Sequence, residues 1–261
     1  MNAFLETWFG LVGKTVLITG GTGGIGTAMS RAFAGAGARL VIASDDAPAS
    51  AALARELGVL GCEVLAQPCD VAKPVELDRL VDAALGRFGT IDILACNAGI
   101  SGPHGPLANA TWQERGQLFR INLAHPLHLT SRVAPLMGAQ GSGSIILTAS
   151  IAGLRGNKAL GLYGIAKAAL IQLARNLAVE WGPAGVRANA LAPGLVATSW
   201  AKAVLADPQA RERRLSLTPL RRVGTPEEIA AAALFLAGPA AGFITGQTIV
   251  VDGGTLISDG N

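Results

Sequence analysis

Short apolar runs alternate with longer mixed stretches along the whole chain. Thr15–Thr19, Arg39–Ala43, Glu63–Ala66, Ile91–Ala95, Ser144–Thr148, Arg187–Leu191 and Thr248–Val251 are short, continuous and rich in aliphatic or β-branched residues. A strand wetted on one face alternates apolar with polar positions. A continuous run is what a strand covered on both faces needs, as in a parallel sheet. Between these runs lie segments of helical length, each with a stop residue: Gly26–Ala36 before Gly37, Ala49–Leu57 before Gly58, Pro74–Phe88 before Gly89, and Tyr163–Trp181 before Gly182-Pro183. Thr225, Pro226 and Glu228 open a last helix as its cap, its first-turn proline and the return partner of a capping box.

Strand and helix in alternation, with short links, imply right-handed crossovers. The predicted fold is α/β, a doubly wound, mostly parallel sheet with helices on both faces. No linker, repeat or low-complexity tract interrupts it, so residues 1–261 read as one domain. Gly194 to Thr225 is the irregular exception, and its length predicts a flexible lid over a binding site.

Composition narrows the function. Half the residues are apolar and 15% are charged, enough for a large core. The net charge of +3 is small, and the basic residues are scattered apart from Arg211, Arg213, Arg214, Arg221 and Arg222. No basic stripe interleaves with aromatics, which argues against nucleic acid. Met1 to Gly13 carries an acidic residue and no basic cluster, so no signal peptide is expected. The apolar stretch Ile229 to Ala237 is about half the length a bilayer needs, so no membrane partner is expected. Cys62, Cys69 and Cys96 form no CxxC, and His104, His125 and His128 form no HExxH. No disulfide or metal site is expected, and a reducing cytoplasm is the simplest setting. His125 and His128 are expected at a surface or interface.

Thr19-Gly-Gly-Thr-Gly-Gly-Ile-Gly26 follows the first predicted strand and opens the first predicted helix. Gly20 permits the sharp turn, and Gly23 and Gly24 clear side chains from the path of a pyrophosphate. The helix N-terminus adds free N–H groups and positive dipole. The second strand ends in Ala43-Ser44-Asp45-Asp46. A carboxylate roughly 20 residues after such a loop accepts both adenosine ribose hydroxyls and repels a 2′-phosphate. No Arg or Lys occupies residues 20–30 or 40–54. These residues predict NAD in preference to NADP, with Asp45 as the reader.

Tyr163 and Lys167 are four apart on a predicted helix, hence on one face. A free phenol has a pKa near 10, and a neighbouring ammonium favours its ionised form. Ser150 follows the fifth strand, where its hydroxyl can hold a substrate oxygen. Gly20, Asn97, Ser150 and Pro193-Gly194 all lie just past strand ends, the edge of a parallel sheet where ligands bind. Asn122 lies in a predicted helix ahead of the Ser150 strand, where a buried amide must find partners.

From about Leu11 to Gly254 the chain resembles the single-domain type of short-chain dehydrogenase/reductase. Thr19 to Gly26, with Thr22 and Ile25 inside it, matches the TGxxxGxG loop. Asp70-Val71 matches the pair that touches the adenine. Cys96-Asn97-Ala98-Gly99 matches NNAG except at its first residue. Asn122, Ser150, Tyr163 and Lys167 match the catalytic tetrad. Pro193-Gly194 and Thr198, with Val196 between them, match the segment that holds the nicotinamide, and Val251-Asp-Gly-Gly254 matches the VDGG ending.

The resemblance implies that Tyr163 is general acid or base and that Lys167 binds the ribose and lowers the phenol pKa. It implies that Ser150 polarises the substrate oxygen and that Asn122 holds a relay water. It also implies a seven-stranded parallel sheet, a homotetramer and an alcohol or ketone substrate. Ser44 stands where the family usually carries its NAD-reading carboxylate, with Asp45 one place later. Leu154, Leu160, Leu162, Val196 and Trp200 suggest a pocket for a partly hydrophobic substrate. Two alternatives remain open: an NADPH-dependent 3-oxoacyl-thioester reductase that docks through the arginine cluster, and a non-catalytic dinucleotide-binding protein.

Overall fold

The structure is a computed structural model that describes residues 3–258. A short helix, α1 (Ala3–Phe9), precedes β1 (Thr15–Thr19), α2 (Gly24–Gly35), β2 (Arg39–Ser44), α3 (Ala47–Val59), β3 (Val64–Pro68), α4 (Pro74–Phe88) and β4 (Ile93–Cys96). Then come α5 (Trp112–Phe119), α6 (His125–Gln140), β5 (Gly143–Thr148), α7 (Gly161–Trp181) and β6 (Val186–Pro193). The chain ends with α8 (Lys202–Ala206), α9 (Pro208–Ser216), α10 (Pro226–Ala237) and β7 (Thr248–Val251). A π-helical turn, Arg120–Ala124, joins α5 to α6.

The strands form one parallel sheet in the order β3-β2-β1-β4-β5-β6-β7. The chain winds outward from β1 to β3, then returns to place β4 on the other side of β1. At that reversal the loops after β1 and β4 diverge and leave a crevice at the carboxyl edge. The predicted strands have no polar face because both faces are covered. Leu17, Leu94 and Leu147 point to one side, where Leu80, Val133 and Leu170 meet them. Val16, Ile18 and Ile93 point to the other, against Met29, Phe33, Ile229 and Leu236.

Several boundaries shift from those predicted. Ile91 is buried but lies outside the ladder, because the Asp92 carboxylate accepts from the Thr15 amide at 2.9 Å and from Lys14 Nζ at 3.0 Å. Gly58 stays inside α3, and the left-handed stop is Gly61 at φ +85°. Gly182 is right-handed and leads into a 3-10 turn that ends at Gly185, φ +78°.

The segment Gly194 to Thr225 is not irregular throughout, since it carries α8 and α9. Asp207 caps α9 by accepting from the Gln209 and Ala210 amides, with Pro208 in the first turn. Pro208–Ser216 has no apolar stripe, so periodicity could not reveal it. His125 is not at a surface: it is 1% exposed beneath the π turn.

Asn189 ties the last strand in place. Its side chain donates to the Ile244 carbonyl at 2.9 Å and accepts from the Gln247 amide at 3.0 Å. Asn189 is fully buried, so Asn189→Leu strands two backbone groups. A loss of about 2–3 kcal/mol is expected in urea denaturation. An unchanged midpoint would show that β7 is held otherwise.

Candidate active site

Four loops meet at the carboxyl edge. After β1, Gly20 adopts φ +63° and Gly23 caps α2 with no side-chain hydrogen bond of its own, which leaves the helix amides facing outward. The turn is tight. A Cβ on Gly26 would fall 1.9 Å from the Gly20 carbonyl oxygen, and one on Gly20 would fall 2.8 Å from Ala98 Cα. The loop is therefore pressed against the Asn97-Ala98-Gly99 segment after β4. Thr19 Oγ1 accepts from the Asn97 and Ala98 amides at 3.1 and 3.2 Å, and Asn97 Nδ2 donates to the Gly20 carbonyl at 3.1 Å. Thr198 closes the loop from above, its methyl standing where a Cβ on Gly24 would be. Gly194, after β6, packs against Asp252, and Val196 is buried beside Gly224.

At the far end of the crevice a cavity of about 490 Å³ is lined by Asp45, Asp70, Ala72, Gln113, Gln117, Arg120 and Ile121. Asp45 and Asp70 thus share one space. Val71, beside them, packs partly against the core. Asp46 is a helix cap, accepting from the Ala49 amide at 2.9 Å. Ser44 stands 2.7 Å from the Thr22 hydroxyl, so it ties the end of β2 to the glycine loop. Arg120 is the residue that sequence reading missed. It lies far from the loop in sequence and reaches the cavity only because α5 packs across the crevice.

Ser150 follows β5 in extended backbone, and its hydroxyl accepts from the Ala152 amide at 3.1 Å. The Ser150 hydroxyl also reaches the Tyr163 phenol and favours its ionised form. Burial outweighs that bond and pushes the phenol pKa up to about 12. Trp200, from the segment after β6, meets the Tyr163 ring edge to face with centroids 6.1 Å apart. Leu162, by contrast, turns from the crevice into a small cluster with Ala110, Leu118 and Ala166. His104 is exposed at the rim of a separate cavity near Leu162.

Lys167 is 3% exposed. Its ammonium lies 5.4 Å from the Tyr163 ring centroid and donates to the Thr148 carbonyl at 2.7 Å. Burial pushes its pKa down to about 8, and Cys96 offsets this only slightly. The Cys96 thiol is itself pushed up to about 12 by burial. Asn122 is buried in the π turn. Its Oδ1 accepts from the Ile100 amide at 2.8 Å and its Nδ2 donates to the Ile100 carbonyl at 2.7 Å. Gly99 leaves room between Asn122 and Lys167: a Cβ there would sit 2.8 Å from Asn122 Oδ1 and 3.4 Å from Lys167 Nζ. All four predicted tetrad residues therefore lie around one edge of the sheet.

Residues 20–255 match a family model described as enoyl-(acyl carrier protein) reductase. The chain is 40% identical over 256 residues to a tropinone reductase homologue of Arabidopsis thaliana, covering 97% of this chain and 83% of that protein. It is 37% identical over 247 residues to 7alpha-hydroxysteroid dehydrogenase of Escherichia coli, covering 94% of each. The chain belongs to the short-chain dehydrogenase/reductase family.

Solved structures agree. A 7alpha-hydroxysteroid dehydrogenase complexed with NADH and 7-oxo glycochenodeoxycholic acid superimposes with a TM-score of 0.91 at 36% identity, covering 97% of both chains. A gluconate 5-dehydrogenase from Burkholderia cenocepacia, in complex with NADP and tartrate, gives 0.92 at 34% identity, covering 97% of this chain and 99% of that one. The chain is accordingly an NAD(P)-dependent oxidoreductase acting on CH–OH and keto groups. Among the described residues no helix is long and apolar enough to cross a membrane.

Two outcomes follow from this short-chain dehydrogenase/reductase site. Gly26→Ala forces the loop apart, and ADP binding measured by calorimetry should fall at least tenfold. Unchanged binding would mean that the loop is not the phosphate cradle. Lys167→Met should stabilise the protein while ruining its site. Below pH 8 the lysine is charged in both states, and the native state carries the cost of burying it. Between pH 8 and 10.5 the native state sheds the proton first, so wild-type stability rises with pH. The methionine variant should gain up to about 3 kcal/mol at neutral pH and lack that rise. Equal stability curves would contradict the burial argument.

Proposed function

We propose that this chain transfers a hydride between NAD(H) and a secondary alcohol or ketone, with Tyr163 as the proton carrier. The observation that carries this reading is the meeting of Tyr163, Ser150 and Lys167 beside the glycine loop. A dinucleotide fits the residues present. The turn of Gly20 and Gly26 is a cradle that a Cβ would fill, and it ends at a helix N-terminus with free amides.

Gly20, Thr22, Gly23, Gly24, Ile25 and Gly26 would hold the pyrophosphate, and Asp45, Asp70 and Val71 the adenosine. Asn97, Ala98, Gly99, Pro193, Gly194, Val196 and Thr198, with Tyr163 and Lys167, would hold the nicotinamide riboside. When bound, the nicotinamide supplies the carbon that accepts or gives the hydride.

The rest is the work of the chain. In oxidation Tyr163 takes the hydroxyl proton of the alcohol while the carbinol hydrogen leaves with its electron pair. In reduction the same phenol returns the proton to the new alkoxide. Ser150 holds the reacting oxygen and supports the developing charge. Lys167 places a positive charge beside the phenol and biases it toward the ionised form. Asn122 fixes the Ile100 backbone that flanks the site. The edge-on Trp200 supports an apolar portion of the substrate next to the reacting carbon.

Asp45 and Asp70 support NAD over NADP, because two carboxylates facing one cation, Arg120, disfavour a 2′-phosphate. Trp112, Ile165 and Val179, exposed on α5 and α7, support association into a homotetramer. Free cysteines at Cys62, Cys69 and Cys96 support a cytoplasmic setting. The acyl-thioester alternative loses part of its docking patch. Arg222 pairs with Glu228 at 2.8 Å and Arg221 donates to the Ser216 carbonyl.

Tyr163→Phe keeps the ring and removes the proton. Turnover on a panel of alcohols and ketones should fall by roughly three to four orders of magnitude, the scale of a lost acid–base group, with cofactor affinity retained. Wild-type turnover would refute the mechanism. Asp45→Arg should shift the ratio of kcat/KM toward NADP, and an unmoved ratio would show that this carboxylate points elsewhere.

A further inference from the structure

At the far end of the crevice Asp45 enters the cavity from the end of β2, and Gln113, Gln117 and Arg120 enter it from α5 and the π turn. Among the described residues none of these four side chains makes a hydrogen bond or an ion pair. Their neighbours do. Ser44 and Asp46, on either side of Asp45, are bonded to the Thr22 hydroxyl and the Ala49 amide. On α5, Glu114 accepts from the Thr111 amide at 2.8 Å and Arg115 donates to the Ala110 carbonyl at 2.9 Å. Asp70 lines the cavity too, but it accepts from the Ala72 amide at 3.0 Å and lies 3.4 Å from Lys73 Nζ. The unpaired groups thus gather at the cavity, while the same elements spend their other polar side chains on the fold.

Helical spacing arranges the α5 side of the cavity. Gln113, Gly116, Gln117 and Arg120 follow one another at steps of three and four residues, which makes them one stripe of the helix. Gly116 is the gap in that stripe. A Cβ there would sit 3.3 Å from Arg120 Nη1 and 3.9 Å from its Cζ, so the guanidinium rests against the glycine. Asp45 belongs to the sheet side of the same cavity. The two opposite charges share a volume of about 490 Å³ and still form no ion pair among the described residues.

An acceptor-only carboxylate, two amides that each donate and accept, and a planar cation are complementary to a purine nucleoside. A carboxylate takes ribose hydroxyls, an amide meets the amino and ring-nitrogen edge of adenine, and a guanidinium stacks on a flat aromatic ring. An anion alone would use the cation and leave both amides and the acid idle. The contact of Ser44 with Thr22 joins this cavity to the glycine loop, so a nucleotide with its phosphates in the loop can reach it. We propose that Gln113, Gln117 and Arg120 grip the adenine of the cofactor, Arg120 stacking on the ring and the glutamines bonding its edge. The proposal rests on the reading that the glycine loop holds a dinucleotide.

Calorimetry with ADP tests this without turnover. Gln113, Gln117 and Arg120 are all exposed, so their replacement leaves the core untouched. ADP affinity should fall about tenfold in Arg120→Ala, the scale of a lost cation–π contact. It should fall by about the same factor in the double variant Gln113→Leu, Gln117→Leu, the scale of two lost hydrogen bonds. Arg120→Lys should restore little, because an ammonium keeps the charge and loses the plane. Full recovery in Arg120→Lys overturns the proposal, as does wild-type ADP affinity in either Arg120→Ala or the double variant.

Adenosine 2′,5′-bisphosphate separates the base from a second phosphate. Arg120→Ala should weaken its binding by the same factor as that of ADP. A larger loss would show that the guanidinium holds a 2′-phosphate, and the proposal would fall. A wild-type protein that binds no ADP contradicts this proposal and the dinucleotide reading beneath it. Variants that lose ADP affinity as expected, in a protein that turns over no alcohol or ketone, would uphold the base site and sink the hydride transfer.

Discussion

A lysine ammonium buried against a backbone carbonyl is the constraint around which this molecule is arranged. Lys167 donates to the Thr148 carbonyl at the end of β5, so a buried, costly charge is anchored to the central sheet. That bond ties α7 to the sheet edge, with Tyr163 one turn earlier on the same helix. Ser150 follows Thr148 by two residues and meets the phenol from the same strand end. The burial of Lys167 opposes folding, and in the proposed function its position serves the chemistry, a trade common at functional sites.

The surroundings of that charge are built to be neutral. Cys96 stands beneath it with a thiol that burial keeps protonated, where a carboxylate would have quenched the ammonium. Asn122 spends its amide on the Ile100 backbone, and the π turn that carries it widens the helix at that point. The far end of the crevice is charged, with Asp45, Asp70 and Arg120 around one cavity. One crevice thus has a polar, charged end and a dry end in which burial shifts the titration of Tyr163 and Lys167.

Much of this was legible in the sequence, for physical reasons. Continuous apolar runs marked the strands because both sheet faces are covered. The glycine loop announced itself because the approach of Gly26 to Gly20 tolerates no side chain. The shared helix face of Tyr163 and Lys167 followed from the helical period, and the place of Ser150 from the end of a predicted strand. The rest depended on tertiary contact. Arg120 enters the cavity beside Asp45 and Asp70 from the π turn after α5. The Thr148 carbonyl has no side-chain signature. The burial of His125 follows from a π turn that no periodicity encodes. Helix α9 has no apolar face and is written only in its Asp207-Pro208 start. Ser44, which breaks the family pattern at the end of β2, became intelligible once its hydroxyl was seen against Thr22.

Tyr163 is the only tyrosine in the chain, so tyrosinate absorbance reports on it alone. Titration of this absorbance with and without saturating oxidised cofactor, with Tyr163→Phe as the blank, tests the central claim most directly. The account predicts a midpoint near 12 in the free protein, where burial dominates, and one below the ordinary value of 10 once the nucleotide is bound beside Lys167. A midpoint that stays near 12 with the cofactor bound would contradict it.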